Sequence, residues 1–175
     1  SITGLLLVTS IALYVERDTL MQDRKDKTRN LVEVAASLLE HYHAKQEAGE
    51  LSEADAKAAA LSAIKKLRYD KTEYFWINDM VPNVVMHPIK AELDGKNVSD
   101  MKDPNGLALF VEFVKVVQAQ GEGFVAYEWP KAGSDRPVPK ISYVKGFQPW
   151  GWVIGSGIYI DDVNHLFLST ALKLG

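Results

Sequence analysis

Hydrophobic and polar positions follow three rhythms along this chain, and each rhythm predicts a different element. Residues 1–15, SITGLLLVTSIALYV, are almost wholly apolar and stop abruptly at Glu16, Arg17 and Asp18. The chain is then highly charged as far as Thr28, after which Leu31, Val34, Ala35, Leu38, Leu39 and Tyr42 recur at helical spacing. That stripe predicts one long helix ending at Gly49. Ser52 and Asp55 form an S-x-x-D cap ahead of Ala56, Ala59, Ala60, Ala63, Ile64 and Leu67, so a second helix is expected to end near Arg68. The runs 73–79 and 84–87, joined around Pro82 and Asn83, read as a strand pair. Residues 88–106 are polar and loop-like. Asp103, Pro104 and Asn105 lead into Leu107, Phe110, Val111 and Val114, the stripe of a third helix that Gly121 and Gly123 stop. Strand patterns return at 124–129, 140–145 and 152–160, and from Asp161 the pattern is helical again.

Two helices, a strand pair, a helix, three strands and a helix make an α+β domain around an antiparallel five-stranded sheet, with the helices expected on one side. The stretch 143–162, YVKGFQPWGWVIGSGIYIDD, is the most informative. Val153, Ile154, Ile158, Tyr159 and Ile160 are strand formers, while Gly151, Gly155 and Gly157 permit close backbone approach. Asp161 or Asp162 can cap the helix that follows, so a strand passes directly into the last helix.

The apolar start is shorter than the roughly 20 residues a spanning helix needs, and it lacks the basic start and small-residue cleavage site of a leader. Two readings fit: the outer end of a transmembrane helix, or a buried amphipathic helix. Leu166, Phe167, Leu168, Ala171, Leu172 and Leu174 are apolar again. On the first reading 1–15 and 166–175 both point at one membrane and 16–165 forms the domain between them.

With 175 residues, 47% of them hydrophobic, the chain suits a single domain with an ordinary core. A net charge of −3 argues against a surface that neutralises phosphates, so nucleic acid is not an expected partner. The absence of cysteine excludes disulfides, thiolate metal sites and cysteine nucleophiles. His41 and His43 are two positions apart, about 200° around a helix, and cannot share a ligating face. With His87 and His165 they read as solvated histidines rather than a metal site. Neither a G-x-S-x-G elbow nor a P-loop nor a dinucleotide fingerprint occurs, and no enzyme activity, cofactor or metal is expected.

What remains is a set of aromatic and cationic side chains near the strands: Arg68, Tyr69, Tyr74, Trp76, His87, Tyr127, Trp129, Lys140 and Tyr143. Alternation sets Tyr74, Trp76 and Asn78 on one face of their strand, and Tyr127 with Trp129 on one face of theirs. Such rings can line a pocket or simply fill a core. Lys140 lies inside a strand-like run and Arg68 sits between a helix and a strand. Drawn inward, both need an acid or an anionic ligand; otherwise they lie in solvent. The nearby acids Glu73 and Asp79 fall opposite Tyr74 and Trp76, and Glu128 falls opposite Tyr127 and Trp129. Alternation also separates Lys140 from Tyr143 unless a bulge intervenes.

The motifs YFWIND (74–79), MHP (86–88), GFVAYEW (123–129), KISYV (140–144) and WVIGSGIY (152–159), in this order, resemble a single Cache sensor domain. The resemblance covers residue 30 onward. It implies a long N-terminal helix on a PAS-like sheet, set between two membrane spans of a bacterial chemoreceptor in the inner membrane, with this domain in the periplasm. It also implies a homodimer paired through the N-terminal helix and a small organic acid ligand of the acetate, propionate, pyruvate or lactate class. Arg68, Tyr74, Trp76, His87, Tyr127 and Lys140 match the pocket region, with Tyr69, Trp129 and Tyr143 beside it. A sensor kinase, a cyclic-nucleotide enzyme and a ligand-free dimerisation module are the alternative settings. An amine ligand would require Asp79 or Glu128 to face the pocket.

Overall fold

The computed structural model describes residues 2–173; Ser1, Leu174 and Gly175, and with them the ends of the two apolar terminal stretches, lie outside the described residues. In chain order the elements are α1 (Ile2–Glu47), α2 (Glu53–Lys66), β1 (Trp76–Asp79), β2 (Val84–Met86), α3 (Leu109–Gln120), β3 (Glu122–Pro130), β4 (Pro137–Phe147), β5 (Trp152–Tyr159) and α4 (Ile160–Lys173). The five strands form one antiparallel sheet in the order β2-β1-β5-β4-β3, which places β5 at its centre.

β5 decides the layering, because all 8 of its residues are buried. A strand buried on both faces needs cover on both faces. The helices therefore do not keep to one side. α1 and α2 pack Val32, Ala35, Ala36, Leu39, Ala56, Ala60 and Ile64 against Phe75, Ile77, Tyr143, Trp152 and Ile154 on one face. On the other, Leu109, Phe110 and Phe113 of α3 meet Tyr74, Trp76, Tyr127, Trp129, Val144 and Val153.

Local chemistry explains most of the boundaries. The Ser52 hydroxyl accepts the Asp55 N–H at 3.1 Å, as the S-x-x-D pattern predicts, and Gly121 closes α3 in the left-handed region at φ +80°. Asp103, however, caps no helix. Its carboxylate instead accepts the N–H groups of Asn105, Leu107 and Glu128, pinning the 88–106 loop to β3. The α1 stripe is rotated from its expected position: Val32 is buried whereas Val34 points to solvent, since the sheet meets α1 about 100° from the predicted edge.

The first turns of α1 carry Ile2, Leu5, Leu6, Leu7, Val8 and Ile11, which the rest of this chain leaves exposed. No helix of the described residues is long and apolar enough to cross a membrane. Arg17 Nε donates to Asn164 Oδ1 at 3.0 Å and ties α1 to α4 where the two helices leave the sheet. α4 begins at Ile160 with no intervening loop, so Asp161 and Asp162 sit in its first turn, where both pair with Lys131 and the Asp161 carboxylate accepts the Asp162 N–H at 2.9 Å.

Gly155 is where β5 passes under the Trp76 indole. A Cβ there would lie 2.5 Å from two ring atoms. Gly155→Ala is therefore expected to destabilise the domain by about 1–3 kcal/mol, a fall of several degrees in Tm. Thermal denaturation of the variant checks this, and an unchanged Tm would show that the indole can shift freely.

Candidate functional site

The α3-facing side of the sheet holds a buried cation. Lys140 of β4 stands opposite Tyr127 of β3 and Tyr159 of β5 in the ladder, so one row across three strands reads Tyr-Lys-Tyr. Its side chain is 1% exposed. Gly157 on β5 makes room for it, since a Cβ at that position would come within 2.9 Å of Lys140 Cε. The ammonium lies 3.3 Å from the Tyr74 hydroxyl. It also lies 4.6, 5.0 and 5.6 Å from the ring centres of Tyr74, Tyr159 and Trp76.

Desolvating a charge to this degree costs several kcal/mol, and aromatic faces return about 2 kcal/mol or more. Burial pulls the Lys140 pKa down, but Tyr127, Tyr74, Tyr159 and the Glu73 carboxyl outweigh it and hold the pKa well above the ordinary lysine value. The Tyr74 hydroxyl 3.3 Å away, the surrounding ring faces and the Glu73 carboxyl favour the charged form of Lys140. Among the described residues the ammonium forms no ion pair with a carboxylate. Burial also drives the Tyr127 phenol up to about 12, so it stays neutral and shares a 2.8 Å hydrogen bond with the Ser142 hydroxyl.

His87 completes the wall. It is 2% exposed, packed between the rings of Tyr74 (5.0 Å) and Trp129 (5.7 Å). Its Nδ1 accepts the backbone N–H groups of Ile89 at 3.2 Å and Lys90 at 2.9 Å, so Nδ1 is unprotonated and the ring proton resides on Nε2. Desolvation first, then Lys140 and Lys90, depress its pKa to about 3. Phe113 of α3 stands edge-on to Tyr127 and tilted on Trp76, both at 5.2 Å, while Phe110 meets Trp129. One ammonium, a neutral imidazole N–H, tyrosine hydroxyls and a surround of rings can hold a small anion with a short apolar tail. Among the described residues no group of histidine, aspartate and glutamate is arranged to hold a metal ion.

The single Cache domain 2 profile matches residues 20–173. This chain is a single Cache domain. It is 43% identical over 172 residues to the methyl-accepting chemotaxis protein McpP of Pseudomonas putida, covering 93% of this chain and 32% of McpP. A solved structure described as a periplasmic sensor domain of a chemotaxis protein superposes with a TM-score of 0.79 at 55% identity, covering 79% of this chain and 96% of that one. A second, described as the structural basis for carboxylic acid recognition by a Cache chemosensory domain, has a TM-score of 0.79 at 44% identity and covers 81% and 97%. The chain spans about a third of the length of the curated relatives it matches. The Cache domain is a sensing module, not an enzyme.

Of the nine residues singled out in the sequence, Tyr74, Trp76, His87, Tyr127, Trp129 and Lys140 come together on one face of the sheet. Three stand elsewhere. Arg68 is exposed and donates to the carbonyls of Lys65 and Leu67 at the end of α2. Tyr69 and Tyr143 belong to the α1-facing side, where Tyr69 shares a 2.6 Å hydrogen bond with Ser156 and Tyr143 packs on Phe124. No bulge intervenes between Lys140 and Tyr143, so the alternation holds. His87 is buried rather than solvated, because the turn that follows it folds its own N–H groups onto Nδ1. Tyr159, Ser142, Phe110 and Phe113 escaped the sequence reading; cross-strand register would have found the first two, but it requires the strand pairing. Asp79 is consumed in its own turn, accepting from the N–H groups of Val81 and Asn83 and from Asn83 Nδ2, which leaves Glu128 as the other acid that an amine site could use.

A histidine whose folded-state pKa lies at about 3 contributes stability that is present above about pH 6.5 and lost as pH falls toward 3. The imidazole 15N shifts of His87 are expected to stay at the neutral Nε2–H tautomer from about pH 5 to about pH 8. A titration centred near 6.5 would disprove the buried neutral state.

Proposed function

We propose that this Cache domain is the periplasmic sensor of a bacterial chemoreceptor and that it binds a short-chain carboxylate against Lys140. The observation that carries the reading is the buried, charged Lys140 ammonium, faced by neutral donors and in ion-pair contact with no carboxylate among the described residues. A buried charge without a counter-charge is costly, and a ligand carboxylate supplies the counter-charge. The Nε2–H of His87 and the hydroxyls of Tyr74 and Tyr127 are the donors for its remaining lone pairs. Trp76, Trp129 and Phe113 surround the carbon tail. The 44% identical Cache domain described for carboxylic acid recognition supports the ligand class, and the 55% identical periplasmic sensor domain supports the location.

In this reading residues 1–15 and 166–175 are the membrane-proximal ends of two spanning helices, and two copies pair through α1. The signal leaves through the joint at Tyr159 and Ile160, where the central strand becomes α4 without slack. Displacing Tyr159 moves the first turn of α4, and shifts of ~1–2 Å between helices belong to the known switching repertoire. The ligand must favour one of the two positions for this to transmit anything.

At a ceiling of about 1.5 kcal/mol per non-hydrogen atom, acetate reaches about 6 kcal/mol, or tens of micromolar, and propionate low micromolar. A thermal-shift panel of two- to four-carbon acids is expected to raise Tm for at least one of them, with ~2.7 kcal/mol of stabilisation at a hundred times Kd. Lys140→Ala should weaken that acid by about 30-fold or more, the loss of a buried charged partner costing ~2–5 kcal/mol. Arg68→Ala should leave the affinity unchanged. Absence of any shift across the panel would favour a ligand-free dimerisation module, whereas wild-type affinity in Lys140→Ala would overturn the placing of the acid against Lys140.

A further inference from the structure

Glu73 stands beside this pocket, where the sheet gives way to α4. It is 8% exposed, and among the described residues its carboxylate makes no hydrogen bond and no ion pair. Only its backbone is engaged, in a two-way bridge to Tyr69. The carboxylate reaches two clefts. One of about 400 Å³ is lined by Arg24, Asp70, Asp162 and Leu166, and the other, about 270 Å³, by Tyr74, Lys131 and Tyr159.

The neighbouring charges already have partners. Asp70 pairs with Lys27 at 2.6 Å and Arg24 at 3.8 Å, and Asp162 pairs with Lys131 at 2.8 Å. The groups facing Glu73 are Arg24 of α1, Asp70 and Tyr69 of the preceding turn, Tyr74 beside it, Lys140 of β4, Lys131 of the β3–β4 turn, Tyr159 of β5 and Asp162 of α4. Burial pushes the carboxyl up to about 7; Asp162 and Asp70 add to that, while Lys140 and Lys131 oppose it. Glu73 shares a cleft with Tyr74 and Tyr159, which both contact the Lys140 ammonium, so the same ammonium that would meet a ligand anion also favours an ionised Glu73.

We propose that Glu73 is a proton-binding site coupled to Lys140, its proton occupancy rising when a carboxylate binds and falling when the carboxylate leaves. The anion cancels the field of Lys140 at Glu73 and leaves Asp162 and Asp70 unopposed, so the bound domain holds the proton more tightly than the free one. By linkage, affinity for the carboxylate rises as pH falls through neutrality, by up to about tenfold per unit. Neutralising Glu73 also removes its repulsion with Asp162 in the first turn of α4, at the joint through which the signal would leave. The trigger rests on the carboxylate reading above, whereas the proton site itself does not.

The test is a 13C titration of the Glu73 carboxyl in this chain, with and without propionate, together with propionate calorimetry at neutral pH in phosphate and MOPS, whose ionisation enthalpies differ. The resonance is expected to titrate near neutrality and to move to higher pH with propionate. The two buffers should give different heats, and Glu73→Gln should abolish that difference while still binding propionate. Titration in the ordinary carboxylate range, equal heats in both buffers, or a buffer difference that survives in Glu73→Gln would each overturn the proposal. Propionate giving neither heat nor shift would overturn the coupling for this acid while the panel above decides the carboxylate reading, and the titration of the free chain decides whether Glu73 is a proton site.

Discussion

The rest of this domain is arranged around a positive charge taken out of water in the middle of a sheet. Lys140 cannot be solvated, so each neighbour is a group that tolerates an ammonium: tyrosine hydroxyls, aromatic faces and the bare Cα of Gly157. Tyr127 and Tyr159 flank it because they are the ladder partners on either side. The same field helps to keep His87 neutral and lowers the pKa that burial alone would impose on Glu73. One cation thereby shifts the proton affinity of groups on two separate segments, in addition to the larger effect of burial.

The charge can be kept there only because the sheet is sealed on both faces. α1 and α2 cover one side and α3 with the 88–106 loop the other, leaving β5 wholly buried. Water exclusion strengthens the electrostatic contacts inside and makes an unpaired group expensive. The loop is held by two acids. Asp94 accepts the His87 N–H at 2.7 Å and Asp103 ties the loop to β3, so both orient the wall and neither faces the ammonium. The charged groups that face outward, Lys131 with Asp161 and Asp162, sit instead at the root of α4.

Much of the fold was legible because it depends on local pattern. The long α1, the capped α2, the strand pair and the uninterrupted passage from β5 to α4 follow from periodicity, turn residues and a cap. The grouping of Tyr74 with Trp76, and of Tyr127 with Trp129, followed from strand alternation alone. Arg68 was misleading because nothing local distinguishes a cation turned inward from one that folds back on its own helix end. His87 was misleading as a solvated histidine because its burial depends on a loop that folds over it. Tyr159 and Ser142 went unseen because their nearness to Lys140 and Tyr127 is a matter of register between strands far apart in sequence.

The sequence by itself determined which residues alternate, which segments turn and which strand runs into a helix, since those are properties of a few neighbouring residues. It also determined the family, through five short motifs in a set order. Only the tertiary structure decided which face of the sheet each motif presents, that helices cover both faces, and that Lys140 stands among Tyr74, Trp76, Tyr127 and Tyr159 with no carboxylate in ion-pair contact among the described residues. The physical reason is that burial and electrostatics are sums over everything near in space, and here the groups that set the charge of Lys140 come from segments tens of residues apart.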